Sequence, residues 1–379
     1  MTGSLSVPFG ASSAAGNGSW KTAGDSFMRP KLDQILAAAR ELGASDIHLI
    51  RGVAPAFRVN GDIRLAKLEP LDEEALKGLL DELLDAKHKK ILEEKWQLCF
   101  SRHWPGVGRF RASIYFHGGV AEMAIRVSER TVRPRTELRL PPIVDELTRK
   151  PNGLVLITGP TGVGKTTTLN YMIDLINRER RCKIVTIEDP VEFTHENRSS
   201  IIIQQEVYTD APSFGAALIH VLRQDPDVIA VGEMRDLDTI ATALTAAETG
   251  HLVLATLHTP DAVQTVQRIF SVFPSEQQNH IMFQLSNSLQ AIIAQNLLPR
   301  ADGKGLILAT EVCVATPAVR KFIREGQSHL LFNEIQTGKK VQMQTMDVAL
   351  MELYQKGEIT YDVAVSSARE PNAIRHKVA

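Results

Sequence analysis

Apolar and polar positions follow two different patterns along this chain, and the change comes near residue 150. In "KLDQILAAARELGA" the apolar residues fall at helical spacing, and the run ends near Gly43. "SDIHLI", "AFRVNGDIRLA", "GRFRASIYFH" and "VAEMAIRV" then read as short strands, with a helix-like stretch from about Asp72 to Lys95 among them. Asn60-Gly61 accepts the positive φ of a tight turn and predicts a hairpin. Residues 28–132 are therefore expected to form a small α+β domain. Beyond Gly153 the strands become near-continuous apolar runs: "GLVLITG", "CKIVTIE", "DVIAVGE" and "HLVLATLH". Strands buried on both faces of a parallel sheet have this look, and amphipathic helices stand between them. Residues 143–370 are expected to be an α/β domain, with helices dominating from about Ser275 except for a strand-like "GLILATEVCV".

Proline and charge concentrate in "RTVRPRTELRLPP", so 133–142 reads as a linker. Residues 1–27 are rich in Gly, Ser and Ala and read as a disordered tail, without the basic and apolar segments of a secretory signal. No apolar run reaches the length of a membrane span. The net charge of −1 offers no excess of basic residues for nucleic acid. Cys99, Cys182 and Cys313 are scattered, which argues against a zinc site or a disulfide framework and fits a reducing cytosol.

Chemistry concentrates in the second domain. "GPTGVGKTTT" matches GxxxxGK[ST] through Gly159, Gly164, Lys165 and Thr166, with Pro160, Thr161, Gly162, Val163 and Thr167 completing the loop. It follows a strand and opens a helix (about Lys165–Asn177), the setting a phosphate loop needs. Glycines let backbone N–H groups turn onto phosphates, the helix N-terminus adds positive potential, Lys165 reaches the β/γ-phosphates, and Thr166 offers a hydroxyl to Mg²⁺. The loop identifies a nucleotide site without naming a function, since kinases, GTPases, helicases and motors all use it.

Three further segments sit at strand ends. "IVTIEDPVEF" places Glu188, Asp189 and Glu192 where a carboxylate orders Mg²⁺ or polarises water; a solvated acidic turn is the plainer alternative. "DVIAVGEMRD" carries Gly232 where an ATPase usually has an aspartate, followed by Glu233 as water positioner or metal ligand. "TGHLVLATLHT" brackets a strand with His251 and His258. A histidine at such a place is often only structural, but His258, at the strand's end, is placed to donate to a γ-phosphate; His251 is the weaker candidate.

Taken in order, these segments resemble the ATPases of type IV pili and type II secretion, over about residues 28–368. The resemblance implies a PAS-like N-terminal domain, a RecA-like ATPase domain, ATP with Mg²⁺, and a homohexamer in which arginines from the N-terminal domain reach the phosphates. "GRFRASIYF" and "AIRV" match the positions of those arginines at Arg111 and Arg126, although by pattern alone Arg109 and Arg111 are the wet face of a strand. In this family the strand end reads Gly-Glu, so Gly232 follows the rule.

Within the family, the short chain and the missing four-cysteine insertion resemble the retraction (PilT/PilU) branch. "PAVRKFIREG" matches that branch's late helix through Arg320, Arg324 and Glu325, with Lys321 and Phe322 departing from it; alone it is an ordinary amphipathic helix. The resemblance implies a cytoplasmic motor at the inner membrane that works on a pilus platform protein and retracts pili. A paralogous pilus ATPase is a further implied partner. Assembly or secretion ATPases, and an accessory PilU-like ring subunit, are the alternatives.

Overall fold

The computed structural model describes residues 30–59, 61–127, 131–372 and 374. The expected tail 1–27 and the turn residue Asn60 lie outside the described residues. Two compact units emerge: one from the described residues before Thr131 together with Glu192–Thr194, the other from the rest.

In the first unit, β1 (Asp46–Leu49), β2 (Ala56–Val59), β3 (Asp62–Leu65), β4 (Gln97–Trp104), β5 (Gly108–His117) and β6 (Val120–Val127) form an antiparallel sheet in the order β3-β2-β1-β6-β5-β4. Val59 pairs with Asp62 and Gly61 has φ +90°, so the expected hairpin is present. β4 adds a strand that its mixed composition hides. The helices are α1 (Leu32–Glu41), α2 (Glu73–Leu83) and α3 (Ala86–Lys95). The single helical stretch expected at 72–95 is thus two helices, because Asp85 starts a new one by accepting from His88 N–H at 2.9 Å. Leu32, Leu36, Leu76 and Leu83 share one core with Ile47, Phe57, Phe110 and Ile125. Alternation then turns Arg111 and Arg126 away from that core, as the pleat requires.

The second unit begins with α4 (Arg135–Leu138) and α5 (Ile143–Thr148). The stretch expected as a linker therefore carries a short helix, and its Leu140 is buried at 3% exposure in the unit's core. Next come β7 (Gly153–Thr158), α6 (Lys165–Glu179), β8 (Lys183–Glu188), β9 (Ile201–Glu206), α7 (Phe214–Val221) and β10 (Val228–Val231). α8 (Leu237–Glu248), β11 (Leu252–Leu257), α9 (Ala262–Ser271), α10 (Ser275–Ser288), β12 (Leu289–Pro299) and β13 (Leu306–Val314) continue the chain. It closes with α11 (Pro317–Arg324), α12 (Leu331–Thr337), α13 (Met346–Gln355) and α14 (Tyr361–Ser367).

The seven strands lie in the order β13-β12-β7-β11-β10-β8-β9, all parallel except β13. β7 shows why both faces are covered: Leu154 and Leu156 enter one core, Val155 and Ile157 the other. β9 and β12 are strands that the sequence pattern did not reveal. β12 occupies a region expected to be helical, because its apolar run continues from α10 without a break in composition. Among the described residues, no helix is long and apolar enough to cross a membrane.

Candidate nucleotide site

Parallel register brings the chemistry to one rim of the second sheet. Leu257 pairs with Thr158, and Val231 with both Ile187 and Ala255, so β7, β8, β10 and β11 end side by side. The residues that follow those ends are the P-loop, Glu188–Asp189, Gly232–Glu233 and His258. In an open parallel sheet this carboxyl rim is where ligands bind.

The loop leaves β7 with Gly159 at φ +138°, and a Cβ there would stand 2.4 Å from the Gln295 carbonyl oxygen. Only glycine fits between β7 and β12. Gly164, at φ +89°, opens α6 in the left-handed region. Pro160, Thr161, Gly162 and Val163 span the turn, and Thr166 and Thr167 lie in the first turn of α6. Lys165 folds back: its Nζ donates to Gly159 O at 2.8 Å and to Pro160 O at 2.9 Å. Burial pushes its pKa below the usual lysine value, opposed by the charge of Glu233.

His258 links that lysine to Glu233. Its Nδ1 lies 3.3 Å from Lys165 Nζ and 3.4 Å from Thr161 Oγ1, and its Nε2 lies 2.8 Å from Glu233 Oε1. An ammonium can only donate, so Nδ1 is the acceptor and Nε2–H donates to the carboxylate. The other oxygen of Glu233 meets Arg235 at 2.6 Å. Burial tends to raise the pKa of Glu233, but the bonds from Arg235 and His258 outweigh it and hold the carboxyl below its ordinary value. Arg235 was not singled out in the sequence; its place two residues after Glu233, in the same segment, was the available signal. Asp236, the acid that closes "GEMRD", accepts from Thr239 N–H at 2.8 Å and caps α8.

Glu188, 4% exposed, accepts from Thr186 Oγ1 at 2.6 Å and from Gln204 at 3.0 Å. Asp189 is exposed beside it, close enough to act on the charge of Arg235. Gly232 is explained by this neighbourhood. Its N–H donates to Ile187 O at 2.8 Å, and a Cβ would press on Ile187 O at 3.1 Å and Glu188 Cα at 3.3 Å.

A cleft of about 250 Å³ adjoins the loop, lined by Leu138, Arg139, Thr167, Gln295, Leu297 and Leu308 among others. Gln295 is fully buried and donates to Thr168 Oγ1 at 2.7 Å. Its only trace in the sequence is a polar residue interrupting an apolar run. For Mg²⁺, the donor chemistry fits: Thr166 and Glu233 bring hard oxygen ligands, and Asp189 another at the same rim. Among the described residues no group of three His, Cys, Asp or Glu side chains could hold an ion alone. Mg²⁺ suits this, since it takes one or two carboxylates and completes its shell with phosphate and water.

Other expected residues lie elsewhere. His251 is at the far end of β11, about 20 Å from His258 at the rise of a strand. Its Nδ1 lies 2.9 Å from Ala246 O, a role in closing α8 and not in nucleotide chemistry. Arg111 and Arg126 face each other across β5 and β6 in the first unit. Arg126 Nε donates to Asp46 at 2.9 Å, and Arg111 Nε lies 3.1 Å from Cys99 Sγ. Arg320 donates to Ser286 O and Asn287 O, both at 2.7 Å, where α10 ends. Arg324 stands over the Phe283 ring at 5.8 Å, and Glu325 is the exposed C-cap of α11.

The family model "Type II/IV secretion system protein" matches residues 135–360. The type IV pilus retraction ATPase PilT of Pseudomonas aeruginosa is 42% identical over 340 residues, covering 90% of this chain and 98% of that protein. The type IV pilus ATPase PilU of the same organism is 37% identical over 345 residues, covering 91% and 90%. A crystal structure of the pilus retraction motor PilT with bound ADP superimposes with a TM-score of 0.86 at 43% identity, covering 92% of this chain and 99% of that one. On the family model and on the identity along most of its length, the chain belongs to the type II/IV secretion system protein family.

Proposed function

We propose that this chain is a Mg-dependent ATPase that powers type IV pilus retraction as a ring of six copies, peripheral to the cytoplasmic face of the inner membrane. The observation that carries it is the chain Lys165–His258–Glu233–Arg235 built across the rim beside the P-loop. Relatives named for retraction, similar along nearly their whole length, support the choice of task.

Lys165 Nζ is held by its own loop carbonyls. A γ-phosphate offers it a charged acceptor in their place, and His258 then gains a phosphate oxygen within reach of the same ring. The backbone N–H groups of 159–166 hold the phosphates, and the cleft by Leu138, Leu297 and Leu308 takes the base. When bound, Mg²⁺ neutralises charge on the phosphates, with Thr166 and either Glu233 or Asp189 as its protein ligands. Glu233, kept ionised, orients or deprotonates the attacking water, and Glu188 polarises it. Arg111 and Arg126, supplied by a neighbouring copy, offset charge on the γ-phosphoryl oxygens. Arg126 is exposed, and Asp46 keeps Arg58 at 4.0 Å when Arg126 turns to a neighbouring copy. Hydrolysis and phosphate release reset His258 and turn the pilus platform protein.

The test pairs turnover with motility. Purified protein hydrolyses ATP, Lys165→Ala loses nucleotide binding, and Glu233→Gln binds but does not turn over. A deletion strain complemented with Lys165→Ala is hyperpiliated and does not twitch. Bald cells would instead indicate assembly. The match to PilU, over 345 residues against 340 for PilT, favours an accessory ring subunit as the second reading. Equal inactivity of the parent protein and Glu233→Gln would support it.

A further inference from the structure

Gln204 stands on β9 directly opposite Thr186 of β8, and the two ends of its amide go to different partners. Nε2 donates to Glu188 Oε1 at 3.0 Å, the oxygen that also accepts from Thr186 Oγ1 at 2.6 Å. Oε1 accepts from the His195 backbone N–H at 2.8 Å. A backbone N–H can only donate, so the amide orientation is fixed, and the end presented to Glu188 is the NH₂. Two positions further on, Glu206 accepts from Val191 N–H at 3.1 Å. β9 therefore ties the chain after Glu188 at Val191 and at His195. His195 is itself buried and holds Asn170 Oδ1 of α6 at 2.9 Å. The path from Glu188 to the P-loop helix runs through Gln204 and His195.

We propose that Gln204 is a positioning residue for ATP hydrolysis: its amide fixes the rotation of the Glu188 carboxylate and couples it, through His195, to the helix that carries the P-loop. This rests on the reading of Glu188 as the group that polarises water. Donors from Thr186 and Gln204 on the same oxygen favour one orientation of that carboxylate. Removing Gln204 takes away one of the donors that set its rotation, and a catalytic group displaced by about 1 Å costs up to about a hundredfold in rate.

The experiment uses the full chain and three variants: Glu188→Gln, Gln204→Leu and Gln204→Glu. Steady-state ATP turnover is measured, with binding of a fluorescent ADP analogue and thermal midpoints alongside. Gln204→Leu is expected to lower kcat about tenfold or more while KM and ADP affinity stay within about twofold. Gln204→Glu keeps an acceptor for His195 N–H but sets a carboxylate against Glu188. It offers Glu188 no donor, so its kcat is expected to fall at least as far as that of Gln204→Leu, with KM again within about twofold. A purely structural role would lower the thermal midpoint and shift KM together with kcat; that result overturns the proposal. So does a Gln204→Leu protein with normal kcat when Glu188→Gln is inactive. Normal turnover in Glu188→Gln would overturn the reading of Glu188 itself, and the proposal with it.

Discussion

Gly232→Ala adds a single methyl at the end of β10, where the backbone of β8 is closest. That methyl would lie 3.1 Å from Ile187 O and 3.3 Å from Glu188 Cα, with Phe214 Cε1 at 3.7 Å. The two nearest atoms belong to the backbone of a buried strand, so no side-chain rotation relieves the contact. Optimal separation between carbons is about 3.5–4.0 Å, and the strand ends must part by a few tenths of an ångström. Overpacking of this kind costs about 1–3 kcal/mol. The movement falls on the bond from Gly232 N–H to Ile187 O, now 2.8 Å, and so on Glu188 and Glu233 together. About 1.4 kcal/mol of lost transition-state stabilisation is a tenfold loss of rate. The expected result is therefore a kcat about ten- to a hundredfold lower, with nucleotide still bound and a modest fall in thermal midpoint. Gly232→Asp, which restores the more common aspartate, also sets a second charge beside Glu188 and should be worse. The assay is ATP turnover with a thermal melt on the same preparations. Wild-type kcat and midpoint in Gly232→Ala would refute the close-packing argument; a lowered midpoint with normal kcat would show that the carboxylates tolerate the shift.

Other expectations follow from single contacts. Arg235→Ala removes the guanidinium from Glu233; the carboxyl pKa then rises toward its ordinary value, and the acid limb of kcat moves to higher pH in a pH–rate profile. His195 is pushed by burial from 6.5 to about 4. Its neutral form is the one folding favours, so this stability is present above pH 6.5 and is lost as pH falls toward 4, by about 3 kcal/mol in all. Urea unfolding of wild type and His195→Gln across that range should give a shallower pH dependence in the variant, and parallel curves would contradict the assignment. Arg320→Ala leaves two carbonyls at the end of α10 without a charged donor and should cost about 1.5–3 kcal/mol, with ATP turnover near normal. A thermal melt beside a turnover assay checks both halves.

Local chemistry carried much of this protein in plain view. The P-loop needs glycines at particular backbone conformations, a lysine and a hydroxyl in unbroken sequence, so Gly159 to Thr166 could be read directly. Continuous apolar runs announced β7, β8, β10 and β11, because a strand covered on both faces tolerates little else. β12 escaped because Leu, Ala and Gln suit a helix as well as a strand. Only the pairing of Ala291–Ala294 with Val155–Thr158 makes it one. β9 escaped for a similar reason: its value lies in Gln204 and Glu206, which gain meaning from groups on β8 and the following segment. His251 and His258 looked alike on the chain, and the direction of β11 put one at the rim and the other at the far end.

By itself, then, the sequence determined that the second domain is an α/β nucleotide-binding domain and which residues could do its chemistry, since those properties depend on neighbours along the chain. Tertiary structure decided how they connect: Lys165 to His258, His258 to Glu233, Glu233 to Arg235, and Glu188 to Gln204. Each of these joins different strand ends, or reaches across a turn, and hydrogen-bond geometry within about 3 Å is set by register and packing, which spacing along a chain does not specify.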